Sequence, residues 1–140
     1  MPKPPSQVVV RWAGGTLYDA GRPDRPSVRL DTSGVTGPGP VDTLMCALCT
    51  CTAEDVLGIL EKRRTPVASL RIEGKGIRAD DVPARLMSIH LTYHIDGEGI
   101  EHDQATRAVQ LAVEKYCSVR SSLDADMPIE LTVVVNGSAA

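Results

Sequence analysis

The chain has 140 residues, a length that suits one domain with a sizeable core, and we expect a single domain over residues 1–140. Its net charge is −3, its aromatic fraction is 3%, and its basic residues are scattered, which argues against nucleic-acid binding. We expect neither a signal peptide nor a membrane-spanning run of ~18 apolar residues, so the sequence predicts a cytoplasmic protein without membrane contact. Thiols stay reduced in the cytoplasm, so the four cysteines predict no structural disulfide framework.

The first third of the chain predicts short strands followed by a break. Residues 6–12 have strand composition, and a short second strand fits residues 16–18. Residues 27–31 alternate apolar and polar side chains, as a half-buried strand does. The Gly- and Pro-rich residues 32–40 then stop regular structure.

A long helix is predicted to follow. Pro40 and Asp42 are suitable start signals, and the helix ends before Pro66. About 22 helical residues span about 33 Å at ~1.5 Å per residue. Residues 44–51 are apolar apart from Thr50, so we expect this half of the helix to be buried on all sides. One short chain supplies little cover for such a helix, and a symmetric dimer would provide it.

The rest of the chain predicts two strands, a helix and a final strand. The strands at residues 67–78 and 84–96 alternate apolar and polar side chains. The helix over residues 103–117 carries apolar side chains at spacings of three and four, and residues 129–135 form the last strand. This order, with a hairpin-like pair between two helices, predicts an α+β domain built around an antiparallel sheet.

Three cysteines lie close together in the first helix, but their spacing does not suit a metal site. Cys49 and Cys51 are about 200° apart around a helix and face opposite ways. Only Cys46 and Cys49 share a face, and a structural zinc site needs four ligands with loop-type spacing. We therefore expect no metal, and we interpret Cys46 and Cys49 as small core residues, a role that free cysteine often fills.

The histidines also give no evidence of a metal or catalytic site. His90 and His94 lie on one face of a strand, roughly 13 Å apart, which is too far to share a metal. Together with Ser88 and Thr92 they predict a solvent-facing polar stripe. His102 is expected to be exposed at the start of the second helix.

Cys51 and Cys117 are the remaining candidates for thiol chemistry. Each is predicted to lie in a helix just ahead of a small hydroxyl residue, Thr52 or Ser118. The residue pattern alone does not bring the two thiols together, so a core role and a chemical role both stay open at this level.

Two segments carry a family resemblance. "GPGPVDTLMCALCTCTAEDVLGILEKRR" and "RAVQLAVEKYCSVRSSL" resemble the cysteine segments of the OsmC/Ohr family (osmotically induced protein C and organic hydroperoxide resistance protein). The match is best to the subgroup with C-T-x-x-D-V and E-K-Y-C-S-V motifs, and it covers residues 8–135. The resemblance implies an α+β OsmC-like fold, with an antiparallel sheet wrapped around two long helices in an intertwined homodimer.

The resemblance also implies a peroxidase that reduces organic hydroperoxides with two cysteines and no cofactor. Cys51 would attack the terminal peroxide oxygen, release an alcohol and become a sulfenic acid. Cys117 would condense with it to a disulfide, which an external thiol or dithiol would reduce. An apolar wall around Cys51 would favour alkyl or lipid peroxides over hydrogen peroxide. Cys49 is a nearby third thiol that could divert the sulfenic acid.

Peroxidase members of the family also use an Arg that stabilises the thiolate and an acidic residue that holds the Arg. In the Ohr branch this acid is a Glu ten residues before the cysteine, where this chain has Val41. Asp42, nine residues before, occupies the acidic position of the present subgroup, where it either holds the Arg or caps the helix. Arg29 is our candidate for the Arg, with Arg11 and Arg22 as alternatives.

Two further interpretations stay open. A non-catalytic OsmC-like protein would keep the fold and bind a small hydrophobic or thiol ligand, or sense redox state. A structural or partner-binding domain would contain inert cysteines. Cysteine reactivity separates these possibilities, because a peroxidase needs an accessible Cys51 of low pKa and the other two classes do not.

Overall fold

The computed structural model describes residues 2–139 and confirms the α+β class. The elements in chain order are β1 (Val9–Gly14), β2 (Leu17–Gly21), β3 (Val28–Asp31), α1 (Pro40–Lys62), β4 (Ser69–Arg78), β5 (Leu86–Asp96), α2 (His102–Leu111), a π-helical segment (Ala112–Tyr116), α3 (Ser118–Ser121) and β6 (Ile129–Val135). The chain divides into two compact units, with the boundary between Leu44 and Met45.

The first unit contains an antiparallel meander in the order β1-β2-β3. Gly14 and Gly15 both have positive φ in the turn between β1 and β2, a conformation that glycine adopts without steric cost. The indole N–H of Trp12 donates to the Gly15 carbonyl at 2.9 Å. The second strand continues to Gly21, beyond the predicted end at residue 18, because it is paired on both sides.

A buried carboxylate organises the loop between β3 and α1. Asp31 is only 2% exposed and accepts hydrogen bonds from the hydroxyl of Thr16 and from the backbone N–H and hydroxyl groups of Ser33 and Thr36. These donors, the Ser33 hydroxyl first, hold the pKa of Asp31 far below its usual range. The carboxylate therefore fixes the path of the Gly- and Pro-rich segment that leads into the helix.

The second unit contains a mixed sheet in the order β4-β5-β6. β4 and β5 are antiparallel, from Ser69 opposite Asp96 to Arg78 opposite Leu86. β6 runs parallel to β5, so the predicted antiparallel sheet is wrong for this pair. The reason is the helical crossover between β5 and β6, which returns the chain to the end of the sheet where β5 began.

The core of the second unit lies on one face of β5. Its alternate residues Ile89, Leu91, Tyr93 and Ile95 are buried, as the period-2 pattern predicted. α2 contributes Ala105, Ala108 and Val109, and α1 contributes Leu48, Val56 and Leu60.

The apolar half of α1 is not buried on all sides. Its buried residues form one stripe at four-residue spacing: Leu48, Thr52, Val56 and Leu60. Leu44 is 40% exposed and Leu57 is 37% exposed. The prediction of all-round burial is therefore wrong for the single chain, because only one side of the helix faces the core.

The prediction that no segment is long and apolar enough to span a membrane is wrong for α1. By length and mean hydropathy this helix is long and apolar enough to do so. The mean hydropathy is high because Leu, Val, Ile, Met, Cys and Ala make up more than half of the helix and few charges interrupt them. The buried helix of a globular core meets the same two criteria, so the finding assigns no membrane location.

Candidate thiol site

The two predicted cysteines lie on different kinds of backbone. Cys51 is in the middle of α1, whereas Cys117 follows the π-helical segment with φ −75° and ψ 111°. The prediction of a continuous helix through Cys117 is therefore wrong, because the backbone is extended at this residue. Its sulfur instead accepts a hydrogen bond from the backbone N–H of Arg120 at 3.2 Å and so caps α3.

The structure brings the Cys51 and Cys117 side chains together. The Cys51 sulfur lies near the Cys117 thiol and near the backbone N–H groups of Val119 and Ser118, and all three favour its thiolate. Cys51 is half-buried, whereas Cys117 is 4% exposed. The chain after the π-helical segment therefore supplies the groups that favour the Cys51 thiolate.

These contacts shift the two thiols in opposite directions. The backbone N–H of Val119 lowers the pKa of Cys51, with help from Cys117 and Ser118 and against burial and the nearby Asp55 carboxylate. Burial raises the pKa of Cys117 and the neighbouring Cys51 raises it further, against the backbone N–H of Arg120, which lowers it. Cys51 is therefore the thiol of the pair that ionises first, and the thiolate is the reactive form of cysteine.

Cys46 and Cys49 do not share a single role. Cys49 is half-buried and packs against the core, as predicted, and burial raises its pKa. A side chain added at Gly74 of β4 would lie 3.8 Å from the Cys49 sulfur, so Cys49 faces β4 and not Cys117. Cys46 is exposed, so the prediction of a core role is wrong for this residue in the single chain.

A buried pair that the sequence analysis missed lies directly beside the thiol site. The hydroxyl of Thr52, the residue after Cys51, lies 2.6 Å from the Tyr93 phenol oxygen. Thr52 donates its own proton to the Cys49 carbonyl at 3.1 Å, so Tyr93 is the donor in the pair. Burial raises the pKa of Tyr93 to about 12, which keeps the phenol protonated. The signal was present in the alternation of β5, which directs a polar phenol into the core.

The two predicted supporting residues have local partners. Arg29 Nε donates to Asp19 Oδ1 at 2.8 Å on the surface of the first sheet, where the two residues are directly opposed on β3 and β2. Asp42 Oδ2 accepts from the backbone N–H of Gly39 at 2.9 Å, which is a helix-capping contact. Within residues 2–139, Asp42 forms no ion pair with an arginine.

Within the described residues, no group of three or more His, Cys, Asp or Glu side chains could hold a metal ion. His90 Nε2 lies 2.8 Å from the Thr132 hydroxyl, and His94 Nε2 lies 2.7 Å from Glu73. His102 is half-buried, with Nε2 3.0 Å from the Val133 carbonyl, so the prediction that it is exposed is wrong. The Val133 carbonyl can only accept a hydrogen bond, so the His102 Nε2–H group is its donor.

Comparison with known proteins gives consistent matches. The family described as OsmC-like protein matches residues 32–132. Protein YhfA of Escherichia coli K12 is 29% identical over 119 residues, which cover 84% of this chain and 89% of YhfA.

Solved structures match almost the whole chain. A hypothetical protein from Aquifex aeolicus VF5 has a TM-score of 0.84 at 23% identity, with 96% of this chain and 98% of that chain covered. An OsmC like protein from Mycoplasma pneumoniae has a TM-score of 0.80 at 15% identity, covering 96% and 99%. The organic hydroperoxide resistance protein OhrB of Bacillus subtilis has a TM-score of 0.62 at 16% identity, covering 92% and 97%. At these identities the likenesses establish the fold.

Proposed function

Because the chain belongs to the OsmC-like protein family, we propose that it is a thiol-dependent peroxidase that reduces organic hydroperoxides to alcohols. One observation carries the proposal: the Cys51 sulfur lies beside a second thiol, Cys117, and near the Val119 and Ser118 backbone N–H groups, which lower its pKa. Donors aimed at a sulfur stabilise its thiolate, and a second thiol in contact can capture the oxidised product.

The first half of the proposed reaction oxidises Cys51. Its thiolate attacks the terminal oxygen of the hydroperoxide, the O–O bond breaks, and the organic fragment leaves as an alkoxide that is protonated to the alcohol. Cys51 is left as a sulfenic acid. The thiol of Cys117 then attacks the Cys51 sulfur, hydroxide leaves as water, and a disulfide forms. Two further thiol groups from an external reductant return both cysteines to the reduced state.

An organic substrate is supported by the surroundings of Cys51. The side chain packs against the hydrophobic core, so an alkyl group beside it would be removed from water. A groove of about 550 Å³ runs along the next turns of α1; Gly58, Ile59 and Tyr116 line it together with the charged residues Glu54, Asp55, Lys62 and Arg63. Asp55 is one helical turn from Cys51 and Tyr116 directly precedes Cys117, so this groove would hold the organic part of the peroxide.

The exposed side of α1 supports a homodimer. Cys46 and Leu57 share one side of the helix and are exposed in the single chain although the helix is predominantly apolar. A second copy of the chain would cover these side chains, and burial of apolar surface drives association. We propose that the peroxidase acts as this dimer in the cytoplasm, without a metal or organic cofactor.

Thiol counting tests the proposal directly. The reduced protein would receive one equivalent of cumene hydroperoxide or of hydrogen peroxide, and free thiols would be counted by mass spectrometry. We expect rapid loss of two thiols with the organic peroxide, mapped to a Cys51–Cys117 disulfide. The Cys117→Ser variant would accumulate a sulfenic acid at Cys51, and the Cys46→Ser variant, which keeps both reactive thiols, would form the same Cys51–Cys117 disulfide. Survival of all four thiols would exclude the peroxidase.

A non-catalytic role as a ligand-binding or redox-sensing protein is the second candidate. The observation in its favour is that Arg29, the predicted thiolate partner, pairs with Asp19. A sensor would form the same disulfide slowly and without preference between peroxides. Second-order rate constants for the two peroxides therefore separate the candidates.

A further inference from the structure

A pocket of about 500 Å³ opens beside Cys117 and is separate from the groove along α1. Cys117 is one of its lining residues, and Cys51 is not. Its apolar lining comes from the π-helical segment, the loop after α3 and the strand β6, and consists of Val113, Leu123, Ala125, Ile129 and Leu131. A molecule in this pocket therefore contacts Cys117 and not Cys51.

The charged lining of the same pocket is mainly cationic. Glu114 is the acidic lining residue, and Lys115 and Arg120 are the basic ones. The Arg120 guanidinium donates to the carbonyls of Asp124, Ala125 and Met127 at 2.9 to 3.2 Å, which fixes the pocket wall. None of the ion pairs found within residues 2–139 involves Arg120, so no carboxylate neutralises its positive charge, which attracts anions. A thiolate is such an anion.

We propose that the external thiol reduces the oxidised protein by attacking Cys117, which it reaches through this pocket. The inference rests on the proposed function, because it concerns the disulfide that function forms. The incoming thiolate bonds to the Cys117 sulfur, the Cys51–Cys117 bond breaks, and its electron pair leaves on Cys51. A second external thiolate then attacks the sulfur of the bound reductant. This step releases an external disulfide and the Cys117 thiolate, which takes up a proton.

The chemistry of the pair favours the same direction. In thiol–disulfide exchange the sulfur with the lower pKa is the better leaving group. The backbone donors of Val119 and Ser118 lower the pKa of Cys51, whereas burial raises the pKa of Cys117. Attack at Cys117 therefore releases the Cys51 thiolate, which is the more stable of the two. Attack at Cys51 would release the less stable Cys117 thiolate. Expulsion of Cys51 also returns that residue directly to its peroxide-reactive form.

This arrangement gives the two substrates different entrances. The peroxide reaches Cys51 beside the groove along α1, and the reductant reaches Cys117 in the cationic pocket. The two half-reactions are therefore sensitive to different surface residues. Ala125 is suited to test this, because it lines the pocket, is exposed, and lies in the loop between α3 and β6.

The experiment locates the mixed disulfide. A Cys46→Ser, Cys49→Ser protein would be oxidised with diamide, which forms a disulfide without any peroxidase activity, and then mixed with 2-mercaptoethanol, acid-quenched and mapped. We expect the 2-mercaptoethanol adduct on Cys117, with free Cys51, in about tenfold excess over the reverse product. An adduct that is mainly on Cys51 would overturn the inference. Failure of peroxides alone to form the disulfide would overturn only the peroxidase proposal.

A pocket variant gives a second, independent result. We expect Ala125→Trp to slow reduction of the disulfide by 2-mercaptoethanol about tenfold, because the larger side chain fills the approach to Cys117. Oxidation of Cys51 by cumene hydroperoxide would keep its rate. Ala125→Ser, a small change at the same position, would alter neither rate. Equal effects of Ala125→Trp on both half-reactions, or no effect on reduction, would contradict the separate entrance.

Discussion

The phenol oxygen of Tyr93 and the hydroxyl oxygen of Thr52 lie 2.6 Å apart in the buried interior and join β5 to α1 one residue after Cys51. Both residues are completely buried. The pair therefore fixes the rotation of α1 at the position from which Cys51 points towards residues 117–119.

Removal of either partner of this pair is expected to destabilise the fold. Tyr93→Phe would remove one buried hydrogen bond, at a cost of about 1 to 2 kcal/mol in the free energy of unfolding. Thr52→Val would leave the phenol O–H without its acceptor, at a cost of about 1 to 3 kcal/mol. Urea unfolding of the reduced protein measures both. The double variant should cost less than the sum, because the second change removes a group that the first already left unpaired; strict additivity would contradict the contact.

Cys51 is expected to react with iodoacetamide at lower pH than an ordinary thiol of pKa about 8.5. Its pKa is lowered by the Val119 backbone donor and by Cys117, and only the thiolate is alkylated. Cys117→Ala would remove one donor and move the pH midpoint of Cys51 alkylation upwards, while the Val119 donor remains. Mass spectrometry of the Cys51 peptide across a pH series measures the midpoint. Cys49→Ala is the matched control and should leave it unchanged.

Asp31 is expected to make the first unit sensitive to acid. Its folded pKa is lowered by hydroxyl and backbone donors, so its stabilising effect is complete above the unfolded value of about 3.9 and is lost as the pH falls further. Asp31→Asn should therefore weaken the first unit at neutral pH and reduce its loss of stability between pH 4 and lower values. Fluorescence of Trp12, the only tryptophan, follows this unit. Asp80→Asn, at an exposed carboxylate, is the control.

Leu57 is expected to contribute to the proposed dimer. Leu57→Glu would place a charge on the exposed apolar side of α1, and desolvation of that charge would oppose association. Sedimentation velocity should show a dimer for the unchanged protein and a monomer for the variant at the same concentration. Glu61→Gln, at an exposed polar position on the same helix, should remain dimeric. A monomer for the unchanged protein would contradict the assignment.

Local patterns predicted those parts of the fold that depend on one buried face. The alternation in β5 identified the inward residues Ile89, Leu91, Tyr93 and Ile95, because a half-buried strand has a period of two. The direction of β6 could not be read in this way, since "IELTVVV" buries its side chains equally well in parallel and antiparallel pairing. That direction follows from the path of the crossover.

The site was only partly accessible from the sequence. The pairing of Cys51 with Cys117 came from the family resemblance and not from residue spacing. No Gly or Pro marks the extended backbone at Cys117, so the end of the second helix had no signal. The donors from Val119 and Ser118 are backbone groups, which every residue but proline carries, and side-chain identity does not reveal them. The pairing of Arg29 with Asp19 depends on strand register, which composition does not fix.

The position of Cys117 in the crossover has a further consequence. Cys51 and Cys117 are 66 positions apart in the sequence, and the chain between them includes β4, β5 and α2. Closing a loop of this length restricts the unfolded chain, by an amount equivalent to about 4 kcal/mol if the native bond is unstrained. The oxidised form would therefore melt at a higher temperature than the reduced form. In each catalytic cycle the protein would alternate between a more heat-resistant oxidised form and a less heat-resistant reduced form. Exposure to peroxide would therefore itself stabilise the fold until the reductant arrives.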